Sequence, residues 1–228
     1  SKLTEVANTL RRQDVDVLAQ AVDLRDEAQI LSFFAAVKER WGELNVLVNN
    51  AGLGHKESLM SGATDAWREM LDVNVLALCI CTREAIRLMT TEEMTEKEVT
   101  AEGAASAESN TPHSGHIVHL SSMSGHRVPA ITGIYSATKF AVRSLTETLR
   151  RELREANSPI RITSISPGIV ETEFAEKYHQ SAEKAQQTYS QFPVLQAVDI
   201  ANAVAYTLSQ PAHVEVNDVL VRPTQQTS

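Results

Sequence analysis

Glycine is scarce in this chain, nine in 228 residues, and none precedes Gly42. The stretch before Gly42 therefore holds no glycine-rich phosphate loop of the kind that lets backbone approach a pyrophosphate. Cysteine is scarcer still. Cys79 and Cys81 stand two apart in a helical pattern and point away from each other, which suits packing in a reducing compartment better than a disulfide or metal pair. No apolar run reaches the roughly 18 residues that span a bilayer, and no basic-then-apolar leader opens the sequence. A cytoplasmic protein without a transmembrane segment is the expectation. Basic charge is also short, 21 Lys and Arg against 29 Asp and Glu for a net charge of -8. With the acids spread along the chain, nucleic acid is a poor partner. His116 and His119, three apart in a strand-like run, face opposite sides, and the other five histidines have no ligand spacing, so no metal site is expected. A Gly-x-Ser-x-Gly elbow is missing, which counts against that form of Ser-His-Asp hydrolysis.

What is present suits one buried α/β domain over residues 1–228. Hydrophobic residues make up 43% and charged residues 22%, ordinary values for a globular protein. Apolar spacing predicts helices over 2–12, 26–41, 65–89, 133–156, 171–190 and 198–209. Strand-like runs fall at 15–22, 44–48, 117–120, 161–165 and 218–222, the second broken by Asn49-Asn50-Ala51-Gly52. Strands alternating with long helices predict a doubly wound parallel sheet. Residues 90–114 are rich in Glu, Thr, Ser and Ala, with Met94 and Val99 as the only large apolar side chains, and read as a mobile surface insertion.

The chemistry lies in Tyr135-Ser136-Ala137-Thr138-Lys139, preceded by Ser122. The four-residue spacing puts phenol and ammonium on one helix face. There the Lys charge favours the phenolate of a Tyr whose reference pKa is about 10, so the phenol can exchange a proton with an alcohol. Taken alone, the pair also fits an ordinary helix surface, and Ser122 an ordinary turn. Asn74 is stranger, a polar side chain inside the apolar run Val73-Asn74-Val75. Buried without partners it costs roughly 1–3 kcal/mol, which points to a held water or a kinked helix. Asn49 to Gly52 and Pro167 to Thr172 each read as a strand-end turn.

In order and spacing these residues resemble the short-chain dehydrogenase/reductase family along essentially the whole chain. Asn49-Asn50-Ala51-Gly52, Asn74, Ser122, Tyr135-x-x-x-Lys139 and Pro167-Gly168-x-Val170-x-Thr172 match its motifs. Within the family, Asn74–Leu78, Cys81–Ala85, Ser122–Val128 and Arg222-Pro223-Thr224 are similar to the branch of the member 11 dehydrogenases/reductases and the insect farnesol dehydrogenases. The resemblance implies a Rossmann-like oxidoreductase using NADP(H), with NAD as the alternative. Ser122 would polarise the substrate oxygen, Tyr135 would act as general acid or base, and Lys139 would lower the Tyr pKa and hold the ribose hydroxyls. Asn74 would fix a water in a proton relay. Asp23 and Leu24 would meet the adenine, Asn50, Ala51 and Gly52 the adenosine ribose, and Pro167, Gly168, Val170 and Thr172 the carboxamide and phosphates. The variable lid would lie between Phe174 and Phe192. Its Phe174, Tyr178, Tyr189 and Phe192 suit a small apolar alcohol or ketone, such as a steroid or isoprenoid, and equally suit ordinary packing. Helices 65–89 and 133–156 would build a homodimer or homotetramer.

Family members place a strand, a Thr-Gly-x-x-x-Gly-x-Gly loop, a helix and a second strand ahead of the segment matching Ser1. Their absence here implies a sheet lacking its first two strands, an unpaired apolar edge at 44–48 and weak cofactor binding. Micromolar NADPH affinity would contradict that last expectation. The alternative function is a truncated, catalytically impaired binding or hetero-oligomerising subunit.

Overall fold

Four short runs pair in parallel because each lacks a turn tight enough to return antiparallel, and a helix carries the chain back between them. The computed structural model describes residues 1–90, 115–129 and 132–227. Its main sheet has the order β1-β2-β3-β6, with β1 at Val46–Asn49, β2 at His116–Leu120, β3 at Arg161–Pro167 and β6 at Asp218–Val221. Every residue of β2 is buried, as are Ile162 to Ser166 of β3. Ile117 and Ile162 point into one core with Ile30, Phe34, Ile80, Met89 and Leu153. These come from α2 (Glu27–Trp41), α4 (Ala77–Met89) and α5 (Ile134–Glu155). Val118, Leu120 and Ile165 face the opposite side, against Ile200, Val204 and Leu208 of α8 (Ala197–Leu208). Helices therefore cover both faces, the doubly wound arrangement expected of a parallel sheet.

Local signals account for the helix ends. Asp26 caps α2, accepting from the N–H groups of Ala28 and Gln29, and Gly42 ends it at φ 77°. The first helix, α1, spans Lys2–Arg11. The strand expected at 15–22 does not form, because among the described residues no strand runs beside it to exchange backbone hydrogen bonds. Side chains secure it instead: Asp16 accepts from Arg40 and from the Trp41 indole at 2.8 Å, and Arg11 donates to the Val17 carbonyl at 3.0 Å. β1 forms one edge of the sheet, with Val46 and Val48 39% and 40% exposed.

The helix expected at 65–89 is continuous but not regular. It starts as α3 (Thr64–Leu71), passes through a π turn at Asp72–Leu76 and continues as α4. The helical region expected at 171–190 is two helices, α6 (Phe174–His179) and α7 (Ala182–Tyr189). Gln180 breaks it in the left-handed conformation at φ 50°, and Ser181 caps the second helix. Two-residue strands that periodicity cannot reveal, β4 (Val170–Glu171) and β5 (Leu195–Gln196), pair in parallel on either side of these helices. Apart from Thr90, the expected insertion at 90–114 lies outside the described residues. No described helix is long and apolar enough to cross a membrane.

Candidate active site

The first turns of α5 lie against the carboxyl end of β2. Tyr135 and Lys139, one turn apart on α5, are 9% and 5% exposed. Lys139 Nζ donates to the Leu120 carbonyl oxygen at 2.9 Å, which ties the helix to the strand. Ser121 Oγ donates to the Lys139 carbonyl at 3.1 Å. Ser122 caps the 3-10 turn Met123–Gly125, its Oγ accepting from the Ser124 N–H at 3.1 Å. Gly125 permits the Ser121–Lys139 contact, since a Cβ there would stand 2.6 Å from the Lys139 carbonyl oxygen.

Asn74 sits in the π turn, 2% exposed. Its Nδ2 donates to the Leu53 carbonyl at 2.8 Å and to Thr138 Oγ1 at 3.1 Å, and its Oδ1 accepts from the Leu53 N–H at 2.9 Å. One amide thus fastens the loop after β1 to α5, and the widened turn aims it there. A Cβ on Gly52 would stand 3.3 Å from Lys139 Nζ and 3.4 Å from Asn74 Oδ1. Glycine at that position therefore leaves a cradle beside the ammonium. Of the two sequence readings for Asn74, the helix distortion is present.

Burial sets the electrostatics. Desolvation pushes the Tyr135 phenol up to about 12, and the nearby Ser122 side chain offsets part of the rise. Desolvation pulls Lys139 down to about 8. Lys139 Nζ stands 5.9 Å from the centroid of the Tyr135 ring, over its face. Burial thus dominates the phenol's shift, and the Ser122 side chain is the contact that lowers it. The buried histidines of β2 are committed to threonines. His119 meets Thr146 and Thr82 at 2.9 and 3.1 Å, His116 meets Thr163 at 2.9 Å, and burial holds each near a pKa of about 4.

Ser122, Tyr135 and Lys139 share a cavity of about 830 Å³ with Asn50, Gly52, Pro167, Gly168, Val170 and Thr172. Ala51, Asn74, Asp23 and Leu24 do not line it. Leu24 packs against the main core, and Arg25 grips the Asp23 carboxylate at 2.7 and 2.9 Å, holding it down to about 2. On the far side, Phe174 and Tyr178 stack at 5.8 Å and both meet the Tyr135 ring, at 5.4 and 6.2 Å. Gly54, which the sequence reading passed over, makes that cluster possible: a Cβ there would stand 2.9 Å from Phe174 and Tyr178 and 3.1 Å from Tyr135. Its signal was a second glycine two residues past Gly52 in a glycine-poor chain. Arg127 was also missed, although it is the only permanently charged side chain between Ser121 and Pro129.

The short chain dehydrogenase family model matches residues 1–183. The chain belongs to the short-chain dehydrogenase family. Other members include dehydrogenase/reductase SDR family member 11 of Bos taurus, 49% identical over 207 residues, covering 90% of this chain and 74% of the relative. The Homo sapiens protein of the same name is 47% identical over 207 residues, covering 90% and 73%. Among solved short-chain dehydrogenase folds, a serine dehydrogenase complexed with NADP+ superposes with a TM-score of 0.80 at 30% identity, covering 98% of this chain and 83% of that one.

Proposed function

We propose that this short-chain dehydrogenase transfers hydride between NADP(H) and the carbonyl or alcohol of an apolar substrate, of the ketosteroid or farnesol-like class, with NAD(H) as the alternative cofactor. The observation that carries this reading is the convergence of Ser122, Tyr135 and Lys139 on one cavity with the cradle at Gly52. That cradle would take a ribose beside an ammonium, with Asn50 and Gly52 on one side, Ala51 behind them in the chain, and Pro167, Gly168, Val170 and Thr172 on the other. Asp23 and Leu24 would meet the adenine. The nicotinamide supplies hydride when bound. The NADP+ named for one solved relative and the NADP named for another short-chain oxidoreductase support the cofactor class.

The chain's own contribution is to hold and move one proton. Ser122 orients the carbonyl oxygen with a hydrogen bond. Tyr135 gives its phenolic proton to that oxygen as the carbon is reduced: the phenol O–H breaks and the new alcohol O–H forms. Burial keeps the phenol protonated at neutral pH, so the resting site is set for reduction. Lys139 then stabilises the phenolate left behind, provided it is charged. Its pKa is depressed to about 8, so the charge is present below pH 8 and lost above it. Reduction of a ketosteroid or an isoprenoid aldehyde, followed by NADPH absorbance, should fall as pH rises through about 8; a rate rising through that range would contradict this role.

Exposed Leu71, Leu76 and Phe140 on α3, the π turn and α5 support assembly into a homo-oligomer through these helices. Sedimentation showing only a monomer would refute it. The second reading, a binding subunit without turnover, draws on the exposed apolar edge at β1. Cofactor binding without turnover of any carbonyl would favour it.

A further inference from the structure

The cavity has a one-sided charge. Lys56, Arg127 and Lys139 line it, and no Asp or Glu among the described residues does, in a chain whose net charge is -8. Lys139 is committed to the Leu120 carbonyl and the Tyr135 ring, and Lys56 is exposed. Arg127 differs from both. Its backbone N–H donates to the Met123 carbonyl at 3.3 Å, anchoring the residue at the turn that carries Ser122. Its side-chain Nε and Nη2 are buried and have no hydrogen-bond partner among the described residues. His179 Nδ1, at the end of α6 and on the same cavity, is also buried without a partner.

A neutral polar group left unpaired in the interior costs about 1–3 kcal/mol, and a charged one costs more. Both atoms are closed off as well as unpaired, so a ligand would take them as the Arg127 side chain turns that edge toward the cavity it lines. The identity of the two orphaned atoms is informative. Nε and Nη2 lie on the same edge of the guanidinium and offer two parallel N–H donors at the spacing of a carboxylate's two oxygens. The aromatic and aliphatic lining, Phe174, Tyr178, Ile169 and Ile200 among it, would take the apolar body of the same molecule.

We propose that Arg127 is the specificity residue of this cavity and that the substrate carries a carboxylate in addition to its reacting carbonyl or alcohol, gripped by the Nε and Nη2 fork. The proposal rests on the reading that the cavity takes an apolar substrate and adds the class within it: oxo or hydroxy acids with a hydrocarbon body. His179, whose Nδ1 is the other unpartnered atom on this cavity, would take a further oxygen of the same ligand. Burial and the charges of Lys56 and Lys184 lower its pKa, which favours the neutral ring.

Calorimetric titration of octanoate and of octan-1-ol into the cofactor-free protein tests this, since the two probes share a chain length and differ in the head group. Octanoate should bind the unaltered protein at least tenfold more tightly than octanol. In Arg127→Met that preference should vanish, and in Arg127→Lys part of it should return, because the charge is restored without the fork. NADPH affinity should stay within twofold in both variants. Equal binding of the two probes to the unaltered protein would overturn the proposal, as would an octanoate preference that survives in Arg127→Met. A parallel loss of NADPH affinity would do the same, by assigning Arg127 to the cofactor's phosphates. If Arg127→Met fails to fold by circular dichroism, the unaltered protein and Arg127→Lys still decide. Binding is read here without turnover, so failure of the proposed reaction and failure of the carboxylate site are separate results.

Discussion

Two walls face each other across the cavity and are built in opposite ways. One consists of the ends of β2 and β3 with the start of α5. There Ile117, Val118, Ile162, Thr163, Ile165 and Ser166 are all 0% exposed, and Lys139 and Ser121 are held by specific hydrogen bonds. The other wall is α6 and α7, where Ala175 and Ala185 are the only buried residues. It is held mainly by the Tyr189 hydroxyl, which donates to the Thr172 carbonyl at 2.8 Å, and by the Phe174–Tyr178 stack against Tyr135. The difference assigns the labour. Under the proposed function, proton transfer, which tolerates little displacement, would sit on the rigid wall with Arg127 at its edge, and the apolar body of the substrate would lie against the less buried wall.

The largest break in this comparison should come from the rigid wall. Ile162→Ala removes a fully buried side chain between β3 and the main core and should cost about 2–5 kcal/mol in urea denaturation. A loss below about 1 kcal/mol would show that the wall relaxes more than its burial implies. A smaller effect should follow from Gly54→Ala, which places a methyl group against both walls at once. The adaptable aromatics Phe174 and Tyr178 should yield before buried Tyr135 does. The outcome should be a KM increase of about tenfold, with kcat changed less. A drop in kcat with KM unchanged would mean that Tyr135 moved instead, and the division between the walls would fail.

The rigid wall was the more legible of the two in sequence. Its strands carry the β-branched residues Ile117, Val118, Ile162, Thr163 and Ile165, and its chemistry comes as fixed spacings, Ser122 to Tyr135 to Lys139, that survive any detail of packing. Legibility ended where structure depends on a partner far along the chain. The run at 15–22 has a strand's composition, but hydrogen bonds from a neighbour, not composition, make a strand. The break at Gln180 was hidden because a left-handed glutamine has no sequence signature comparable to glycine's. Gly54 and Arg127 were readable as residues and unreadable as roles: one matters through the rings that fill the space beside it, the other through a partner it lacks. Asn74 lies between these cases. Its buried amide announced a special position, and only the fold showed that it joins the loop after β1 to α5.

The proposed reaction depends most on Tyr135 as the proton donor. Comparing steady-state NADPH-dependent carbonyl reduction by the unaltered protein and by Tyr135→Phe tests it directly, since the change removes one hydroxyl from a packed ring. General acid catalysis contributes roughly 10²–10⁴-fold, so kcat should fall by at least about a hundredfold while the fold is retained. A Tyr135→Phe protein that reduces the carbonyl within threefold of the unaltered rate would contradict the assignment.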